Sequence, residues 1–150
     1  MIGRLDGKVA LITGGAGGIA SACGRLFCTE GAGVALIDID NNRVQQTALD
    51  IRKSVPDAKI VGIAADVSRE EDAVRAVKTV ISEFGSLDTL VNAAAVRAHF
   101  ALADASRESW EKIIGINLMG TMNFCKAAIP ELRKAERPSI VNVTTVFAEI

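Results

Sequence analysis

The sequence predicts an α/β fold in which a doubly wound parallel sheet carries helices on both faces. Three observations point there. Short, apolar, β-branched runs alternate with longer segments of helical periodicity, the pattern of βα units. A glycine-dense turn joins the first apolar run directly to the first helical segment. The chain has 150 residues, 49% of them hydrophobic and 23% charged, which suits one domain around one core.

The strands are expected over residues 8–13, 34–38, 59–65, 87–92 and 139–145, each short and largely apolar, as when both faces of a parallel sheet are covered. Helices are expected between them, over 18–30, 41–54, 69–84 and 107–134. Asp40 and Ser68 are suitable N-caps, and Ser68-Arg69-Glu70-Glu71 fits a capping box. Gly31 and Gly85 suit helix C-termini. In the third helix Ala73, Val74, Val77, Val80, Ile81 and Phe84 recur at helical spacing and should face the sheet. Arg133 and Lys134 complement the negative end of the last helix, and Pro138 separates it from the final strand. No linker or low-complexity stretch divides residues 1–150, so a single domain is expected. Right-handed crossovers place the second and third strands on one side of the first and the fourth on the other, giving strand order 3-2-1-4-5. Ligands of such sheets bind at the carboxyl ends of the strands, where that order reverses.

A net charge of −1 provides no positive field for nucleic acid or an anionic membrane surface. No run approaches the length of a membrane span, and residues 1–7 lack an apolar signal core, so a cytoplasmic protein is expected. Cys23, Cys28 and Cys125 form no Cys-x-x-Cys pair and lie far in sequence from His99, the one histidine. They are read as reduced, buried thiols, and no metal site is expected.

The chemistry lies in Thr13-Gly14-Gly15-Ala16-Gly17-Gly18-Ile19-Ala20. Missing Cβ atoms let backbone approach a diphosphate, and the free N–H groups at the following helix start favour an anion. Gly15 to Ala20 reads as G-x-G-x-x-A between a strand and a helix, a dinucleotide fingerprint of the Rossmann type. About twenty residues past Gly18, Asp38 ends the second strand, where a carboxylate can accept hydrogen bonds from ribose hydroxyls. It would repel a 2′-phosphate, and neither Gly17 nor Ile39 is basic, so NAD is expected over NADP. Alternatively, Asp38 serves only to hydrogen-bond the following turn.

With these residues the sequence resembles the short-chain dehydrogenase/reductase family along its whole length. Thr13-Gly14-x-x-x-Gly18-Ile19-Ala20 is similar to the family's T-G-x-x-x-G-I-G loop, and Asp66-Val67 to its adenine-contacting Asp segment. Asn92-Ala93-Ala94-Ala95 resembles the N-N-A-G stretch lining the cofactor pocket, with Ala93 and Ala95 replacing Asn and Gly. Ile116-Asn117-Leu118-Met119-Gly120 resembles the helix whose Asn belongs to the catalytic tetrad, and Thr145 stands where that family has its catalytic Ser.

The resemblance implies Gly14, Gly15, Gly17, Gly18, Ile19, Asp38, Asp66, Val67, Asn92, Ala93 and Ala94 as the NAD site, with Asn117 and Thr145 as catalytic groups. It implies hydride transfer between NAD(H) and a small-molecule secondary alcohol or ketone, in a homodimer or homotetramer. The family's Tyr-x-x-x-Lys is expected beyond Ile150, and the chain contains no Tyr, so this part of the family fold is expected not to turn over by itself. Trp110, Ile113, Ile114, Leu118 and Phe124 of the long helix are then expected to be exposed, as is the outer side of the fifth strand. The alternative is a non-catalytic NAD-binding or interaction protein.

Overall fold

A computed structural model describes residues 3–97 and 101–144. Its elements are β1 (Val9–Thr13), α1 (Gly18–Thr29), β2 (Gly33–Asp38), α2 (Asn41–Ser54), β3 (Ile60–Ala64), α3 (Glu70–Phe84) and β4 (Thr89–Asn92). A short 3-10 turn, Leu102–Asp104, precedes α4 (Arg107–Ile113), a π-helical segment (Ile114–Met119), α5 (Gly120–Leu132) and β5 (Ser139–Asn142). The strands form one parallel sheet in the order β3-β2-β1-β4-β5, as the crossover argument expects.

Side chains of a strand alternate between faces, and the central strands feed two cores. Val9, Leu11, Ala35 and Ile37 pack with Val77, Val80 and Phe124 under α3 and α5. Ile12, Val34 and Leu36 pack with Ala20, Val44 and Ile51 under α1 and α2. Residues 34 to 37 are fully buried, which is why β2 carries only apolar side chains until Asp38.

Local signals explain most of the helix ends. The Asp40 carboxylate accepts the Arg43 N–H at 3.0 Å and starts α2. Gly85 ends α3 at φ 83°, a left-handed conformation that disfavours a Cβ. The expected Ser68 capping box does not form. Ser68 gives both its N–H and its hydroxyl to Asp66 Oδ1, leaving Arg69 to start α3 without a side-chain cap. On α3 the buried stripe is Ala73, Ala76, Val77 and Val80, while Val74 is exposed; the small Ala76 lies on the buried face and the larger Val74 does not.

The helix expected over 107–134 is broken by its π-helical segment. One extra residue in a turn rotates the following face by about 100°. This accompanies a close approach of Gly120 to Val67 and a bond pair from Asn117 to Val96. Trp110, Ile114 and Leu118 are exposed as expected, Ile113 is half-buried, and Phe124 is fully buried in the core beneath α5 rather than exposed. β5 is exposed along its length. Of the thiols only Cys28 is buried, with Cys23 and Cys125 half-buried; desolvation pushes the Cys28 thiol up to about 11, so it is inert near neutral pH.

Candidate functional site

The carboxyl ends of β1, β2, β3 and β4 open onto one crevice at the point where the strand order reverses. Gly14 turns the chain out of β1 at φ 71°, and a Cβ there would meet the Ala93 carbonyl oxygen at 2.9 Å. Gly15 lies closer still, where a Cβ would stand 2.6 Å from Leu36 Cβ. The Gly15 N–H donates to the Ile37 carbonyl at 2.7 Å and the Gly17 N–H to the Gly14 carbonyl at 2.8 Å, closing the loop. Gly17 caps α1 with no side-chain bond, so the first-turn N–H groups have no intrahelical acceptor. At Gly18 a Cβ would meet nothing within 4 Å. This cradle fits the phosphates of a dinucleotide.

Asp38 fastens the loop to the next turn. Its Oδ2 accepts the Ala16 N–H at 3.0 Å and its Oδ1 the Asp40 N–H at 3.1 Å. Asp38 therefore does bond the following turn, and its carboxylate lies at the rim of the crevice. A cation also stands there. Arg43 Nη2 donates to the Ala16 carbonyl at 3.3 Å, although inspection of Gly17 and Ile39 alone gives no basic group near the loop. Its position in the first turn of α2, N-capped by Asp40, brings it back over the glycine loop.

Two cavities share the segment after β4. One, of about 140 Å³, is lined by Gly14, Asp38, Ile39, Asp66, Val67 and Ile116, among others. The second, of about 720 Å³, is lined by Ile19, Asn92, Arg97, Asn117, Thr121 and Thr144, among others; Ala94, Ala95 and Val96 border both. Ile19 and Ile39 are 61% and 70% exposed, apolar surfaces that a flat ring system could cover. Asp66 is held by its own loop: its N–H donates to Asp72 Oδ2 at 2.9 Å while its Oδ1 takes Ser68. The Arg75 guanidinium, followed by that Asp66 N–H, holds the Asp72 carboxyl below its usual value.

Asn117 lies in the π-helical segment and commits both ends of its amide to the backbone of Val96, accepting its N–H at 2.8 Å and donating to its carbonyl at 2.9 Å. It lines the larger cavity through this arrangement. Asn92 Nδ2 donates to Asn142 Oδ1 at 2.9 Å and to Cys125 Sγ at 3.4 Å. Its Oδ1 is buried without a partner among the described residues, an open acceptor beside the larger cavity.

The structure brings the predicted Gly14, Asp38, Asp66, Val67 and Ala94 around the smaller cavity. Ile19, Asn92, Ala93 and Asn117 border the larger one. Thr145 and His99 lie outside the described residues. In the sequence Thr13 reads only as the start of the glycine motif, yet its hydroxyl receives the Ala93 and Ala94 N–H groups at 3.0 and 3.1 Å and ties β1 to the β4 loop. Asn123 gives one sequence signal, a poor helix former inside a helix. No group of metal-ligating side chains gathers among the described residues, and no helix among them is long and apolar enough to cross a membrane.

Comparison with known proteins bears on the family and the fold. The family model described as short chain dehydrogenase matches residues 8–150. A 2,5-dichloro-2,5-cyclohexadiene-1,4-diol dehydrogenase of Sphingobium indicum is 35% identical over 98% of this chain, which spans 58% of that relative. Short-chain dehydrogenase reductase 3b of Arabidopsis thaliana is 38% identical, again over 98% of this chain and 56% of its own length. Among solved structures, a short-chain glucose/ribitol dehydrogenase from Brucella melitensis superposes with TM-score 0.88 at 32% identity, covering 97% of this chain and 60% of its own. An NAD+-bound xylitol dehydrogenase superposes with TM-score 0.86 at 26% identity, covering 93% of this chain and 53% of its own. The chain thus spans a little over half the length of the curated relatives it matches.

Proposed function

The chain belongs to the short chain dehydrogenase family, and from that premise we propose that it holds NAD in the crevice above the sheet. The whole protein would transfer hydride between NAD(H) and a secondary alcohol or ketone. The observation that carries this reading is the glycine cradle on Gly14 and Gly15 with the Asp38 carboxylate fastened beside it.

In this reading the first-turn N–H groups of α1 receive the diphosphate, and Asp38 accepts the ribose hydroxyls. Asp66 and Val67 border the adenine end in the smaller cavity. The residues that line the larger cavity would hold the nicotinamide end, which when bound would supply or accept the hydride. Asn117 keeps the Val96 backbone in place between the two, and the Thr145 hydroxyl would donate a hydrogen bond to the substrate oxygen. The tyrosine-free 150 residues would bind cofactor without turning over substrate, since no phenol is present to move the proton. Assembly into a homo-oligomer belongs to the same proposal and is supported by exposed Trp110, Ile114, Leu118 and Met122 on one helical run.

The test is calorimetric titration of NAD and NADP into the wild type, Asp38→Asn and Asp38→Asn/Arg43→Ala. NAD should bind at least about tenfold tighter than NADP to the wild type. Asp38→Asn should narrow that gap because Arg43 can then reach a 2′-phosphate, and Arg43→Ala should reopen it. A folded wild type that prefers NADP contradicts the NAD assignment, and one that binds neither contradicts the reading altogether.

A further inference from the structure

We propose that Gly120 and Asn123 are positioning residues for the nucleotide site: from behind, they fix the depth of its Val67 wall and thereby set affinity for the adenine end. This rests on the reading of the smaller cavity as the adenine site.

Val67 lines that cavity on one side and is 8% exposed. Its other side meets the start of α5. A Cβ at Gly120 would stand 2.7 Å from Val67 Cγ2 and 3.0 Å from Val67 Cβ, so anything larger than glycine drives Val67 toward the cavity. One turn on, Asn123 Nδ2 donates to the Val67 carbonyl at 3.0 Å, a buried bond. A further turn on, Lys126 Nζ meets Glu70 Oε1 at 2.6 Å. Of three residues spaced by three along one helix face, Gly120 and Asn123 thus meet the loop between β3 and α3 at Val67, and Lys126 meets the first residue of α3.

Packing alone does not account for this choice of residues. The apolar attachment of α5 comes from Phe124, Ala128 and Leu132, all buried in the core. Asn123 adds no such area. It is 7% exposed in mid-helix, where its amide loses water and helix propensity, and its bond goes to the Val67 backbone. The same helical run carries Asn117, bonded at both ends to Val96. One segment therefore sets a wall of the smaller cavity at Val67 and the divider between both cavities at Val96.

The test titrates NAD and ADP-ribose into the wild type, Gly120→Ala, Asn123→Leu, Val67→Ala and Gly120→Ala/Val67→Ala, with melting curves recorded in parallel. At temperatures where each variant is folded, Gly120→Ala and Asn123→Leu should bind both ligands about tenfold or more weakly than wild type. Trimming Val67 removes Cγ2, the nearer of the two side-chain atoms that a Cβ at 120 meets, and leaves only Val67 Cβ at 3.0 Å, so the double variant should bind several-fold better than Gly120→Ala and approach Val67→Ala. A purely structural role would lower the melting temperature and leave both dissociation constants unchanged, and that result overturns the proposal. So does a double variant that binds no better than Gly120→Ala. Should Gly120→Ala not fold, Asn123→Leu and Asn123→Asp, each lacking the donor, decide by the same readout. A folded wild type that binds neither ligand overturns the nucleotide reading and this proposal together, whereas normal wild-type binding with unchanged variants overturns this proposal alone.

Discussion

The two edges of the sheet are finished in opposite ways. At β3, alternate residues bond to β2, as the Lys59 carbonyl accepting the Val34 N–H and the Ala65 N–H donating to Asp38 show. The carbonyls of Ile60, Gly62 and Ala64 point outward, and each is met by a long side chain from a flanking helix: Arg52, Gln45 and Arg75. At β5 the backbone pairs with β4 alone, all four residues are exposed, and no side chain caps the outward carbonyls among the described residues. An edge so blunted resists strand addition, while an open one invites it. The smaller cavity lies toward the finished edge and the larger one toward the open edge, bordered there by Val143 and Thr144. The lesson is that the half of the crevice assigned to adenine is completed by local packing, whereas the other half depends on what covers β5.

The largest expected effect sharpens this contrast. Leu36 is fully buried and Ile140 is 40% exposed. Leu36→Ala should therefore cost about 3 kcal/mol in denaturant unfolding, and Ile140→Ala no more than about 0.5 kcal/mol. Equal losses would show that β5 is as firmly packed as the centre of the sheet. A second change removes the contrast at its source. Replacing Gln45, Arg52 and Arg75 together by Ala should make the β3 edge resemble β5, with a loss of only about 1 kcal/mol because the carbonyls regain water. Light scattering should then detect concentration-dependent association beyond that of the wild type; unchanged scattering would mean that the caps do not protect the edge.

The smallest effect is a pH dependence on the finished side. The Arg75 guanidinium and then the Asp66 N–H hold the Asp72 carboxyl below its ordinary 3.8. Because the folded pKa is the lower one, the stabilisation is fully present above the unfolded value and is lost as pH falls below it through the folded pKa. Asp72→Asn should make the acid limb of a stability profile shallower below about pH 4 and leave its neutral part parallel to wild type. An acid limb of unchanged slope would show that Asp72 does not contribute.

Much of this contrast is legible in the sequence because its causes are local. The order of the strands follows from alternating patterns and crossover handedness, Asp40 caps α2 as its residue type suggests, and Gly85 ends α3 for want of a Cβ. Features set by remote partners are not legible. Nothing in Ile114–Met119 interrupts helical periodicity; the π-helical segment accompanies the bonds from Asn117 to Val96 and the contact of Gly120 with Val67. Ser68 has the residue type of a cap, yet Asp66 two positions earlier captures its N–H and hydroxyl first. Arg43 escapes notice because its approach to Ala16 is a matter of how α2 leaves the sheet. Within the candidate site, the glycine loop and Asp38 are expected from spacing and Asp66 from the family resemblance, while Thr13 as a tie to the β4 loop and Asn123 as a brace for Val67 required coordinates.

The most direct measurement is the affinity of the folded chain for ADP-ribose beside NAD. If the finished half of the crevice holds the adenine end, ADP-ribose should bind within about tenfold of NAD, a difference of about 1.4 kcal/mol. NAD binding with ADP-ribose weaker by about a hundredfold or more would place the affinity on the open side and contradict the account.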